Sequence, residues 1–359
     1  MTFRKVWQKA KKAIVSHRRK LMTTALTFLI GATLFGTVFL YADLREIIRV
    51  LYRFSLWKFA LYLILPFLIL LLSSLRWSLV LKAYGWKVKF WHLFRYYLAG
   101  FGFSYLTPIA ELGGAPFRAH LLRREGIPFG KGLLTVIVDD FISIFSEALI
   151  ATMAILYLVF HLGFKTELSW VIGTVSGVFI LILFFTYLRL RQGKPILSSL
   201  LDLFGGKKWR RIQKLSQKIY RFEGPFIEFF NQKRSALKKA LFLTAIVLLL
   251  GIGEVGVLLY FMGQFSGWLN AFLARMIVYA ANLFPVPAGL GVSEWGEAGF
   301  FGLTSGSQSA GFVFSILFKA RTLFFAFLGI GIFLYYWLKE LPWHQKIKNY
   351  LLQKLRFYG

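Results

Sequence analysis

The chain has 359 residues, 57% of them hydrophobic, a mean hydropathy of +0.62, and several uncharged runs of about twenty residues. That composition excludes a water-soluble globular domain, whose helices would carry one polar face, and points to an integral helical membrane protein. The 44 Lys+Arg against 15 Asp+Glu, a net charge of +29, mark basic loops facing anionic lipid rather than nucleic acid, for which no recognition module is visible; zero cysteines exclude disulfides and thiolate chemistry.

Residues 1–20 carry eight Lys/Arg, with Phe3, Trp7, Ala10 and Ile14 on one helical face. This predicts a basic amphipathic helix on an anionic leaflet, with the N-terminus in the cytoplasm. The first span is 21–42, too long and too poor in small residues at its end to be a removed signal peptide. A short mixed-charge outer segment, 43–58, leads to a second span over 59–81, with Arg76 near its inner end, where a long side chain can snorkel. The 82–95 connection is basic and therefore inside. The uncharged run 96–110 is short for a span and ends on Thr107-Pro108, and the chain turns basic again by Arg123 and Arg124. Residues 96–122 thus read as a re-entrant hairpin that enters from the cytoplasm and returns to it.

The third span, 132–160, contains Asp139, Asp140 and Glu147; the fourth is 168–188. Residues 189–239 hold fourteen basic residues and form a cytoplasmic loop, in which 207–222 is amphipathic. The span 240–262 contains Glu254, and the uncharged stretch 263–274 reads as an outer loop. A second re-entrant hairpin, 275–302, contains Pro285, Pro287, Gly289 and Gly291, followed by Ser293, Glu294 and Glu297. The last crossing lies within 309–338 and carries Lys319 and Arg321, and a basic amphipathic tail, 339–359, is cytoplasmic.

The expected architecture is an all-α polytopic membrane protein with a single membrane domain over 21–338. It has six transmembrane helices and two re-entrant hairpins, in units of about 59–160 and 240–338 that would be inverted repeats. The alternative is eight transmembrane helices, with 298–318 and 322–338 as separate spans.

Two proline- and glycine-rich interruptions carry the functional expectation. Pro lacks an N–H and Gly is loose, so neither sustains a helix, and lipid offers freed backbone groups no partner; such breaks are buried or line a wet cavity. A charge at mid-bilayer depth costs about 2.5–3.5 kcal/mol on insertion scales, so the intramembrane charges must be paired or face water. Arg118, Lys319 and Arg321 suit a phosphate, Arg by its fork and Lys as a point charge, with Asp139 and Asp140 holding the basic groups when the site is empty. The bland reading is a static pair, such as Asp140 with Arg118, that only holds the bundle together. The half-helix ends near Pro285 to Gly291 would offer N–H groups to an anionic headgroup. Glu294 and Glu297, one turn apart, suit a cation, a proton or a basic headgroup; a solvated helix start explains them nearly as well. The five His are scattered and no D-x-D, Walker loop or G-x-S-x-G is present, so nothing invites catalysis, a metal or a cofactor.

The motifs Leu106-Thr107-Pro108, Gly113-Gly114-x-Pro116-x-Arg118-Ala119, Leu121 to Pro128, Val136 to Asp140, and Pro285-x-Pro287-x-Gly289-Leu290-Gly291-Val292-x-Glu294 with Arg321 downstream resemble the lysylphosphatidylglycerol synthase transmembrane region, a flippase-like domain. The resemblance implies a lipid-translocating domain without the soluble aminoacyl-transferase part of its two-part relatives. Two departures stand out: Ala115 where relatives often carry an acid, with Glu111 the only nearby substitute, and Asp140 where they often carry Arg. The sequence reading is therefore a flippase that moves an anionic phospholipid or lipid-linked headgroup across the cytoplasmic (inner) membrane of a prokaryote, through a cavity formed by the two hairpins. Its candidate site is Arg118, Arg321, Lys319, Glu111, Asp139, Asp140, Pro285, Pro287, Gly289, Gly291, Glu294 and Glu297. The rival is an enzyme or accessory protein of polyprenyl-phosphate glycolipid synthesis. Anionic membrane phospholipids are the expected partners, no nucleic acid is expected, and a homo-oligomer is left open.

Overall fold

The computed structural model describes residues 55–106, 112–162, 167–196, 223–282, 289–305 and 307–340, with a few single residues between them. The expected helices at 1–20, 21–42 and 207–222, the tail beyond 340, and the site candidates Glu111, Pro285 and Pro287 lie outside the described residues. Among the described residues every regular element is helical: α1 (Leu56–Tyr62), α2 (Ile64–Ala83), α3 (Phe90–Leu106), α4 (Ala115–Leu122), α5 (Phe129–Leu162), α6 (Glu167–Arg191), α7 (Arg234–Met262), α8 (Trp268–Asn282), α9 (Val292–Thr304) and α10 (Gln308–Glu340).

Length and hydropathy separate these helices into two kinds. Five stretches among the described residues are long and apolar enough to cross a membrane: α1–α2 as one crossing, α5, α6, α7 and α10. The α1–α2 join at Leu63 is explained by Pro66, which has no N–H to give the Tyr62 carbonyl one turn back and whose ring crowds it. By contrast, α3 has 17 residues, α4 8, α8 15 and α9 13. At 1.5 Å per residue the longest of these reaches about 26 Å, short of a hydrocarbon core of about 30 Å.

The short helices pair with each other. The chain doubles back between α3 and α4: the Gly114 N–H donates to Ser104 Oγ (3.0 Å) and Phe103 stacks on Phe117 at 3.7 Å. A Cβ on Gly114 would collide with the carbonyl of Gly100, and one on Gly100 with the Arg118 side chain, so only glycine permits this approach. Helices α8 and α9 likewise fold onto each other, with Ile277 against Gly296. The second hairpin begins at Trp268, earlier than the expected 275. The uncharged run 263–274, read as a loop because it lacks charge, supplies the first turns of α8. The eight-span alternative required two spans over 298–318 and 322–338, whereas α10 is one unbroken helix and α9 a separate short one.

The chain divides into two compact units. The first comprises Met1–Leu63, Tyr105–Gly113 and Ile252–Ala320; the second comprises Ile64–Ser104, Gly114–Gly251 and Arg321–Gly359. The core of the second contains Trp77, Leu93, Tyr96, Ala99, Leu121, Ile127 and Val136. On α6 the apolar Val178, Leu181, Ile182, Phe184 and Phe185 are exposed, a surface that belongs against lipid.

Candidate functional site

In the second unit the buried charges collect around α5. Asp139, 0% exposed, accepts from Arg76 Nε (2.8 Å) and from Arg118 Nη1 (3.4 Å). Arg118 Nη2 donates to Asp140, whose other oxygen, Oδ2, has no hydrogen-bond partner among the described residues. Adjacent positions on one helix point about 100° apart, so Asp139 faces α2 and the core while Asp140, 14% exposed, sits at the margin. The Arg118 guanidinium also lies over the rings of Trp77 (5.1 Å) and Tyr97 (5.0 Å), cation–π contacts suited to a desolvated cation. Arg118 is placed by the α3–α4 close approach described above, and Trp77 is fixed by donating Nε1–H to Thr135 (3.3 Å).

Arg76 is the residue sequence reasoning misread. It was expected to snorkel from a helix end, yet it is 1% exposed and spends its donors on Asp139 and Thr244 (3.3 Å). The available signal was that the 132–160 span carries three acids, Asp139, Asp140 and Glu147, and no base of its own.

The turn after α4 explains the Arg-Arg-Glu-Gly-Ile-Pro run. Gly126 takes φ +78°, Arg124 donates to the Tyr336 carbonyl (2.9 Å) and lies over the Tyr336 ring (4.7 Å), and Glu125 accepts from the Tyr96 hydroxyl (2.9 Å). These contacts fix the hairpin's outer end. Just beyond α2, Tyr84 donates to the Pro225 carbonyl (2.8 Å), and burial pushes its phenol above the ordinary tyrosine range. A cavity of about 850 Å³ opens nearby within the same unit. Its walls include Phe141, Phe145, Leu149, Leu241 and Leu248, together with Arg191, Arg234 and Lys238.

In the first unit the charges form a second set. Gly291, at φ +80°, starts α9, and its N–H donates to Glu294 Oε2 (2.8 Å), which also accepts from Ser293 (3.0 Å). Glu294 Oε1 accepts from Lys319 Nζ (2.5 Å), and Lys319 also reaches the Gly289 carbonyl (3.4 Å). Glu294 therefore fills part of the helix start that was expected to receive an anionic headgroup, and it holds Lys319. Further along, Tyr62 donates to Glu254 (3.1 Å), Arg275 donates to Glu254 and to the Tyr279 hydroxyl (3.1 Å each), and the Arg275 guanidinium lies over the Tyr279 ring (4.5 Å). Glu297 is buried on α9, and Arg321 is buried on α10 within the second unit. Of the candidates, the structure brings together Arg118 with Asp139 and Asp140, and Lys319 with Glu294, Gly289 and Gly291.

Comparison with known proteins gives a consistent picture. UPF0104 membrane proteins of three archaea are similar to this chain. One from Methanocaldococcus jannaschii is 30% identical over 33% of this chain and 36% of the relative. One from Methanothermobacter thermautotrophicus is 30% identical over 45% and 47%. One from Archaeoglobus fulgidus is 20% identical over 62% and 70%. The chain thus matches about a third of the length of the first of these relatives. The family described as the lysylphosphatidylglycerol synthase TM region matches residues 24–329, through both short-helix hairpins and all five crossings up to the middle of α10. This multi-pass helical membrane protein belongs to the lysylphosphatidylglycerol synthase transmembrane-region family.

Proposed function

We propose that the protein is a lipid flippase of a prokaryotic cytoplasmic membrane, with both termini cytoplasmic, that moves an anionic phospholipid or lipid-linked headgroup between leaflets. The observation that carries this reading is the unequal pair of carboxylates on Arg118. Asp139 is fully enclosed and shared with Arg76, so removing it would take from Arg76 the carboxylate it donates to and leave Arg118 with Asp140 alone. Asp140 is partly exposed and answers only to Arg118 among the described residues. A phosphate offers the same planar fork the same acceptor geometry, so a headgroup can take the place of Asp140 without disturbing Asp139. The basic, apolar-walled cavity supports the reading, since it suits acyl chains beside an anionic group. Arg321, buried on α10 in the same unit as Arg118, is proposed to serve the same headgroup.

Proteoliposomes test this. Translocation of a labelled phosphatidylglycerol should fall by at least about tenfold in Arg118→Ala and in Arg321→Ala, which corresponds to about 1.4 kcal/mol of lost differential binding. Size-exclusion profile and circular dichroism should remain those of the parent. Arg118→Lys should recover only part of the rate, because an ammonium keeps the charge and loses the fork. Unchanged rates in both alanine variants would overturn the reading.

A further inference from the structure

Glu297 lies one turn beyond Glu294 on α9, is 0% exposed, and neither of its carboxyl oxygens has a hydrogen-bond partner among the described residues. The charged groups on the elements packed around it are already engaged. Glu294 on its own helix is bound to Gly291, Ser293 and Lys319; Arg275 on α8 holds Glu254 and Tyr279; Lys319 on α10 holds Glu294. Helix α10 is pressed against this turn so closely that a Cβ on Gly311 would collide with the Glu297 carbonyl. An ionised carboxylate enclosed this way, with no donor and no cation, would cost several kcal/mol, whereas the neutral acid would cost far less. A metal ion would need several further oxygen ligands, and no cluster of three His, Asp or Glu occurs among the described residues.

We propose that Glu297 is a proton-binding site, loaded in the conformation seen here, and that its release and reloading drive the lipid translocation proposed above. This coupling rests on that reading; the proton site itself does not. In the loaded state Glu294, Lys319 and Glu297 sum to zero charge. When the start of α9 meets water, the O–H bond of Glu297 breaks and its proton passes to water, leaving the electron pair on the carboxylate. The set then carries one negative charge and two carboxylates one turn apart on one helix face. The deprotonated site repels an anionic headgroup and the loaded site admits it, so lipid and proton move together.

The test uses the full chain in proteoliposomes and two readouts. Infrared difference spectroscopy of the reconstituted protein should show a protonated-carboxyl stretch near neutral pH that disappears in Glu297→Gln and returns, shifted, in Glu297→Asp. With labelled phosphatidylglycerol, an imposed pH gradient should change the leaflet ratio of the lipid by up to about tenfold per pH unit for one coupled proton. In Glu297→Gln the leaflet ratio should ignore the gradient, and in Glu297→Asp it should respond again. A missing band, or one that persists in Glu297→Gln, overturns the proton site. A band with a gradient-insensitive leaflet ratio in the parent overturns the coupling and leaves the flippase reading standing. A parent protein that moves no lipid in any condition overturns both the flippase reading and the coupling, while the infrared result still decides the proton site.

Discussion

Asp139 accepts from two guanidiniums at once, and this unequal sharing ranks the neighbouring carboxylates. Asp139→Ala would leave Arg76 and Arg118 enclosed with one fixed anion fewer, which places the cost at about 3–5 kcal/mol. Asp140→Asn keeps the Asp139 bridge and an acceptor for Arg118, at a position that is 14% exposed. Its cost should be smaller, about 1–2 kcal/mol. Chemical unfolding of the two variants in mild detergent checks the ranking, and equal losses would contradict it. Little of this was legible in the sequence. The acids and Arg118 stood out because charge within an apolar run is costly. Arg76 did not, because a lone Arg near a presumed helix end looks solvated, and its partner lies 63 positions away, where no local periodicity reaches. Lys319 with Glu294 is the same case at a separation of 25.

At the scale of elements, the apolar runs marked the crossings well because a bilayer demands about twenty residues that need no water. Their ends were less legible. Helix α7 begins at Arg234 rather than at 240, because its basic first turns satisfy their own backbone regardless of what the side chains face. The hairpins were legible through their breaks, whereas the start of α8 was not, since an uncharged run looks the same in a loop and in a helix. What starts α9 is conformational: Gly289 and Gly291 both take positive φ, at +56° and +80°. Gly291→Ala should therefore cost about 1–2 kcal/mol and weaken the N–H donation to Glu294. Amide hydrogen exchange should show faster exchange confined to the first turns of α9, with α3 and α4 unchanged; uniform acceleration would argue against a local origin.

For the whole molecule, an even number of crossings follows if the 21–42 run joins the five described ones, which returns both termini to one side. The absence of native cysteine makes this directly measurable. Ser16→Cys and Gln345→Cys should react with a membrane-impermeant thiol reagent in inverted vesicles only. Ser266→Cys, between α7 and α8, should react in right-side-out vesicles only. Opposite labelling of the two terminal positions would break the topology. The distribution of the net charge of +29 supports the same orientation, because basic segments favour the cytoplasmic face.

The charge balance around Arg118 has a consequence for selectivity. Two arginines and two aspartates cancel, and under the proposed function only the marginal aspartate gives way, so the vacancy left by its departure is worth one unit of negative charge. A phosphodiester supplies that unit, whereas a phosphomonoester brings about 1.5 to 2 and leaves an unbalanced surplus in a low-dielectric wall. Competition between phosphatidylglycerol and phosphatidic acid at neutral pH should accordingly favour the diester, and lowering the pH until the monoester loses its second charge should narrow the gap.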